Sequence, residues 1–532
     1  MKRPNLVWII ALALGWLFDF LFWNHEPGLN FALYVLLCLG GGFLALLWNG
    51  IRPSWKTLLL LVPILFFAAM NAIRREPMSV FLTLVIPLTL LGVLTVTYLG
   101  GRWLKYSLAD YVANAFKLAG SMLARPFIFL AEQKKQAEAQ PQEMGAGRGQ
   151  GWKRTWSVLR GLLIALPIVA IFAGLLSSAD LVFAARLDEF IELFRLERLP
   201  EYLFRAIYIL AAGYALAGAI LHAGQKSRDE KLTGEDKPLV APFLGFTESV
   251  IVLGAVNLLF AIFVFIQFQY FFGGETNIGV ENYTYAEYAR KGFGELVAVA
   301  FFSLLLFLGL SGIVKRQNAL QRRVFSGLGV LLVALVGVML LSAFQRLVLY
   351  ESAYGFSRLR TYTHVFMIWL GALLALVVLL DLLGRTRAVA LTMALAALGF
   401  AASLTLLNVD RFIVERNIQR ATQGEDLDVA YLASLSSDSV PALADALQDE
   451  SLPAGTRDMV GAALACRAYQ DGRREPDDNW RAFTFSRLWA GHAIQAVEGI
   501  LNNYAIIYED DWRLQVETPL GETYDCWTSY SD

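Results

Sequence analysis

Eleven apolar runs, each bounded by polar residues, constrain this chain more than any other feature. They fall at 6–23, 29–48, 57–72, 78–99, 157–178, 203–222, 246–272, 292–314, 327–350, 363–383 and 388–407. A helix needs about 20 apolar residues to cross a bilayer. In lipid its backbone polar groups must be satisfied within the segment, so each run predicts a spanning helix. The third run is short, which leaves a steep crossing or a re-entrant one. Composition agrees: 17% of residues are charged, against about 25% in soluble domains. The fold class is therefore all-α, a polytopic transmembrane helix bundle of about eleven spans with a mainly helical C-terminal extramembrane domain.

The runs divide the chain into four parts. Residues 1–102 form an N-terminal four-span unit and 157–407 a seven-span core. Between them, 103–156 holds an amphipathic stretch (103–130), too polar to span, and a Gly/Gln/Ala-rich linker. The amphipathic stretch predicts a helix lying on the cytoplasmic surface. Residues 408–532 form the C-terminal domain. Its "SSDSVPALADAL" has a Ser/Asp cap and a first-turn proline, and "YAIIYEDDWRLQVETPLGETYDCW" is compatible with short strands. The N-terminus has a basic flank like a signal peptide but no small-residue cleavage site, so it predicts a retained first helix.

The net charge of -1 hides an asymmetry. After Leu407 there are 22 acidic and 10 basic residues, with no lysine. The remainder has 24 acidic (46 minus 22) and 35 basic residues (45 minus 10). With the N-terminus inside, the inner segments carry 23 Lys and Arg and the outer loops 9. This bias predicts a multi-pass membrane protein with its N-terminus in the cytoplasm and its tail outside. A re-entrant third run would put the tail inside. The scattered basic residues form no stripe for nucleic acid. Cys38 lies in an apolar run and reads as core. Cys466 and Cys526 can pair only if the tail is outside the cytoplasm, and spacing does not decide it.

The four histidines lie far apart, with no metal-ligand spacing. No phosphate loop, Cys-x-x-Cys or nucleophile elbow is present. No catalytic residue, metal ligand or cofactor site is assigned. The chemistry that remains is a set of charges at the outer ends of spans. Thr284 and Glu287 have capping-box spacing, so a helix is expected to begin at Tyr285. Glu287, Lys291 and Glu295 then form one stripe, with Glu295 about 15 Å along the helix. An ionisable group at that depth needs a partner or water. Asp19, Asp180, Arg346, His364 and Arg358 lie at the same predicted level. Arg358 and Tyr362 share one helical face, Arg360 and His364 another. Two readings fit: salt bridges that lock helix ends, or an outward-facing polar cavity lined by Glu295, Arg346 and His364, with Lys291, Arg358 and Asp19 or Asp180 nearby. Asn257 in the seventh run suits an interhelical hydrogen bond. Asp381 reads as a boundary charge at an inner end.

Three stretches, "YTYAEYARKGFGELVAVA", "LYESAYGFSRLRTYTHVFMIWL" and "LNVDRFIVERNIQRATQGEDLDVAYLASLSSDSVPAL", together resemble a bacterial polytopic membrane family, domain-of-unknown-function family 4173, over roughly Leu159 to Leu447. Asn408, Val409 and Asp410 stand where Asn-Pro-Asp is expected. The resemblance implies a bacterial integral membrane protein and supplies no catalytic residues. Three functions follow in order: a non-catalytic anchor or sensor whose acidic tail binds a protein partner outside, a small-molecule or lipid-headgroup binding or transport protein, and an enzyme acting on a lipid-linked substrate. The partners these readings imply are the lipid bilayer and an extracytoplasmic protein bound by the acidic tail.

Overall fold

The computed structural model describes residues 3–139, 199–228, 242–272, 293–473, 479–508 and 514–527, with isolated residues between 165 and 186. Helices α1 (Pro4–Phe22) and α2 (Leu29–Trp48) are followed by a turn of helix (Trp55–Leu58) and α3 (Leu61–Asn71). Next come α4 (Pro77–Thr97), α5 (Leu108–Ala139), α6 (Leu199–Gln225), α7 (Phe246–Phe272) and α8 (Phe293–Ile313). The last long helices are α9 (Ala319–Tyr354), α10 (Arg358–Leu382) and α11 (Val389–Leu407). Among the described residues, nine helices are long and apolar enough to cross a membrane, which makes this an all-α polytopic bundle. Most of the run at 157–178 and the stretch 273–292, with Thr284, Glu287 and Lys291, lie outside the described residues.

The short third run is the tenth apolar helix, Trp55–Asn71. It lies against α4 and is bonded near both ends of it. Thr57 Oγ1 donates to Thr97 O at 2.7 Å, and Asn71 Nδ2 donates to Thr83 Oγ1 at 3.0 Å. It therefore runs along most of the length of α4, antiparallel to it. The amphipathic stretch is longer than its hydrophobic pattern: α5 continues to Ala139. Residues 131–139 are all Ala, Glu, Gln or Lys, strong helix formers that carry no apolar signal.

The chain forms two contact units: Met1–Phe20 with Ala119–His222, and Leu21–Leu118 with Ala223–Asp532. In the first, Arg205 on α6 grips Asp19 on α1 through two hydrogen bonds, at 3.0 and 2.6 Å. Phe18 and Tyr208 pack beside that pair, ring centroids 5.5 Å apart.

The second unit has two cores. One joins α7 to α10 around Phe307, Phe325, Leu332, Leu347 and Leu374. Asn257 Nδ2 donates to Leu328 O at 3.0 Å there, the interhelical bond expected of it. Asp381 is not a simple boundary charge. It is buried and accepts from Arg316 (2.7 Å), Ser311 (3.0 Å) and Ser326 (2.7 Å), tying α8, α9 and α10 together. Its carboxylate is thereby paired and fully hydrogen-bonded, which is what burial of a charge requires.

The other core belongs to the C-terminal domain: α12 (Val409–Ala421), α13 (Val429–Ser434), α14 (Val440–Gln448), α15 (Ala454–Arg473), α16 (Phe485–Leu501) and an antiparallel sheet of β1 (Ala505–Tyr508), β2 (Leu514–Glu517) and β3 (Thr523–Asp525), in that order. Val409, Ile413, Leu443, Val460 and Val516 are fully buried in it. Met78, Tyr362, Val365 and Phe400, all on spanning helices, pack against it. A disulfide, Cys466–Cys526, ties α15 to the end of the sheet.

Candidate functional site

The candidate site is the bundle end that carries the C-terminal domain, within the second unit. It begins with a turn. Asn408 joins α11 to α12 in the left-handed conformation (φ 53°) and caps α12 through its side chain. Asparagine enters that region more readily than other non-glycine residues. One residue thus turns the chain from a span into the domain and sets Asp410 in the first turn of α12, facing α10.

Arg358, at the start of α10, meets Asp410 as a two-pronged fork. Nε donates to Oδ1 and Nη2 to Oδ2, both at 2.7 Å. Asp410 is fully buried, and its Oδ2 also accepts from the Ser436 amide at 2.8 Å. The Arg358 amide donates to the Tyr431 hydroxyl at 2.9 Å, and burial raises the Tyr431 pKa. Planar forks of this type are the strong class of ion pair.

One turn along the same face, the Tyr362 hydroxyl donates to Glu76. Glu76 in turn caps α4, accepting from the amides of Met78 (2.8 Å) and Ser79 (2.7 Å). The four-residue loop Ala72–Arg75 and Glu76 is clasped by Asp438. Asp438 Oδ2 accepts from the amides of Arg75 (2.6 Å) and Glu76 (2.9 Å), and Arg74 Nη1 stands 3.7 Å from Oδ1. Burial raises the Asp438 pKa, opposed by the Arg75 amide and Arg74. Arg75 continues to Glu26, which also accepts from Arg487 Nη2 at 2.7 Å. Partial burial works against ionisation of Glu26, but the two arginines win and its pKa is lowered.

Main-chain bonds close the junction. Leu29 N–H donates to Phe483 O at 2.9 Å, and the amides of Phe485 and Ser486 donate to Ala72 O and Ile73 O at 2.9 and 3.2 Å. Two span-connecting loops and the start of α10 are thus fastened to one domain.

The other predicted residues fall as follows. Arg358 is in the Asp410 fork. Tyr362 shares its face, and both point to the domain side. Arg360 and His364 face α9 instead: Arg360 lies over the Tyr350 ring at 4.1 Å, and His364 Nδ1 is 3.4 Å from the buried Glu351. Arg346 is half-buried on α9, and Glu295 is exposed in the first turn of the described part of α8. Asp19 and Asp180 belong to the first unit. Asp19 pairs with Arg205, and exposed Asp180 accepts from the Phe183 amide at 3.1 Å. Lys291 lies outside the described residues.

Sequence reasoning missed Glu26, Arg74, Arg75, Glu76 and Asp438 as members of one constellation. The signal was there. Two adjacent arginines in a four-residue loop between apolar helices need carboxylates close by, and Asp438 of the acidic tail and Glu26 supply them.

Beside the clasp is a cleft of about 640 Å³, lined by Arg74, the Leu406–Asn408 turn, Arg411, Asp438 and the α16 face of Ser486, Trp489 and His492. Among the described residues no three His, Cys, Asp or Glu side chains come together as metal ligands.

A polytopic helix bundle with a small α/β domain bonded to its loops is the class of protein these features define. The family model "Domain of unknown function (DUF4153)" matches residues 61–446, most of the bundle and the start of the domain, and the chain belongs to that family. This is the family that matches, in place of the family 4173 that the three stretches resemble. No curated protein and no solved structure matches the chain.

Proposed function

We propose that this is a non-catalytic sensor or anchor of a bacterial cell membrane, with its C-terminal domain outside the cytoplasm as the interaction module for a protein partner. The observation that carries the reading is the Asp438 clasp. One buried carboxylate of the domain holds the two amides that open α4, and Glu76 of the same loop caps that helix. Any partner that moves the domain must therefore strain the start of a spanning helix. A domain that served only as a soluble appendage would need no such coupling.

Three facts support the outside placement. The Lys and Arg distribution favours it. Trp55–Asn71 lies antiparallel along α4, which favours reading it as a crossing, and with the apolar run at 157–178 read from the sequence as another the number of spans is odd. The Cys466–Cys526 disulfide suits an oxidising compartment. The test is Ala454→Cys in a Cys38→Ala background, at an exposed position of the domain. Labelling of intact cells by a membrane-impermeant maleimide is expected. Labelling only after permeabilisation overturns the reading.

The cleft beside the clasp favours a second reading, binding of a small molecule or lipid headgroup.

A further inference from the structure

The cleft combines features that the clasp does not use. Ser486, Trp489 and His492 recur every three residues on α16, so they share one face, and all three line the cleft. Leu406 and Leu407, the last residues of the spanning helix α11, also line it. Leu406 is 63% exposed and Trp489 47%. An exposed leucine at a span end beside a tryptophan is the composition of a membrane–water boundary.

The polar side of the cleft is cationic in its uncommitted groups. Its one carboxylate, Asp438, already accepts two amides and faces Arg74. Arg411 is half-exposed; its Nε donates to Glu415 at 2.7 Å, and the charge of Asp445 also acts on it. Its terminal nitrogens donate no hydrogen bond among the described residues, which leaves them for a ligand. His492 is exposed, on the α16 face toward the cleft. Ser486 is 1% exposed, and its hydroxyl has no hydrogen-bond partner among the described residues. A buried hydroxyl without a partner is costly, and an acceptor entering the cleft would satisfy it.

We infer that this cleft binds the phosphate-bearing headgroup of an anionic bilayer phospholipid, with Arg411, His492 and Ser486 meeting the phosphate and Leu406, Leu407 and Trp489 meeting the start of the acyl chains. Phosphate is the matching anion: it accepts from a guanidinium, an imidazole and a hydroxyl at once. The volume of about 640 Å³ suits a headgroup and its glycerol. The inference deepens the second functional reading and does not depend on which side of the membrane the domain occupies.

The test uses the purified full-length protein in detergent, titrated with phosphatidylglycerol or phosphatidylcholine of the same acyl chains and read by native mass spectrometry. One phosphatidylglycerol is expected to bind about tenfold tighter than phosphatidylcholine. Arg411→Glu with His492→Ala is expected to abolish that preference, Ser486→Ala to weaken it, and Arg411→Lys to keep most of it. Both double-variant positions are exposed, so an unchanged melting temperature certifies the fold. Competition by soluble glycerol 3-phosphate at equal affinity would keep the phosphate site and assign it to a soluble ester. Equal binding of the two lipids, or a double variant that binds like the parent, overturns the inference. Neither result bears on the maleimide test, which reads sidedness alone.

Discussion

Arg358 and Asp410 face each other through two parallel hydrogen bonds of 2.7 Å, with the carboxylate fully buried. The arginine opens a spanning helix and the aspartate opens the first helix of the C-terminal domain. Breaking such a pair strands a charge away from water. Asp410→Ala is expected to destabilise the folded protein by about 3–5 kcal/mol. Arg358→Lys should recover only part of the parent stability, since an ammonium cannot reproduce the fork. Thermal unfolding of the detergent-solubilised protein reads both. A lysine variant as stable as the parent would mean that charge alone, and not the planar geometry, holds the junction.

Two other carboxylates at the same junction respond to pH with opposite sign. Asp438 has a raised pKa because burial penalises its charge. A raised folded pKa makes the stability it contributes complete at low pH and lost as pH climbs from the unfolded value through the folded one. Glu26 has a lowered pKa: burial opposes its ionisation, but Arg75 and Arg487 outweigh it. Its contribution is present above the unfolded value and lost as pH falls through the folded one. Relative to the parent, Asp438→Asn should therefore gain melting temperature as pH rises from about 4, and Glu26→Gln should gain as pH falls below that region. Parallel melting curves for the parent and Asp438→Asn across that range would refute the first assignment.

Gly28 marks where the loop after α1 lies against the domain. A Cβ there would come within 2.7 Å of the Phe483 carbonyl oxygen, the atom that accepts from the Leu29 amide. The obstacle is backbone on both sides, so it cannot be relieved by a side-chain rotation. Gly28→Ala is expected to cost about 1–3 kcal/mol, the usual penalty for overpacking. It should also expose the Phe483–Phe485 segment to protease. An unchanged digestion pattern would show that the loop can move aside freely.

The spans were legible because a bilayer demands one thing of a helix, an apolar run of sufficient length, and hydropathy reports that directly. Where the ends are polar, hydropathy fell short: α9 runs over Ala319–Tyr354, while its apolar run covers 327–350. Its extra turns hold Arg322, Arg323 and Glu351, which interface charges tolerate. Helical periodicity also sorted Arg358 with Tyr362, and Arg360 with His364, onto the faces the structure shows. The clasp was not legible in the same way. Asp438 and Arg75 are 363 residues apart in the chain, and the contact goes through a backbone amide, which every residue but proline has. No pattern of side-chain types encodes that. Only the unexplained arginines of the loop at 74–75 hinted at it.

The disulfide between Cys466 and Cys526 closes a loop across a separation of 60 residues. Both cysteines are buried in the domain core, with Val460 and Val516 nearby in the same cluster. In the chain-entropy account, a cross-link of that span stabilises by about 4 kcal/mol, through restriction of the unfolded chain. Cys466→Ser with Cys526→Ser should lower the stability of the domain by roughly that amount and leave the spanning helices folded, because their core around Phe307 and Leu332 is a separate cluster. Limited proteolysis of the double variant, with and without reductant on the parent, separates the two outcomes. Cleavage confined to residues after Leu407 is expected in the double variant and in the reduced parent. Loss of the whole chain in both would mean that the junction transmits unfolding of the domain into the bundle, and parent-like resistance in both would mean that the cross-link does not hold the domain together.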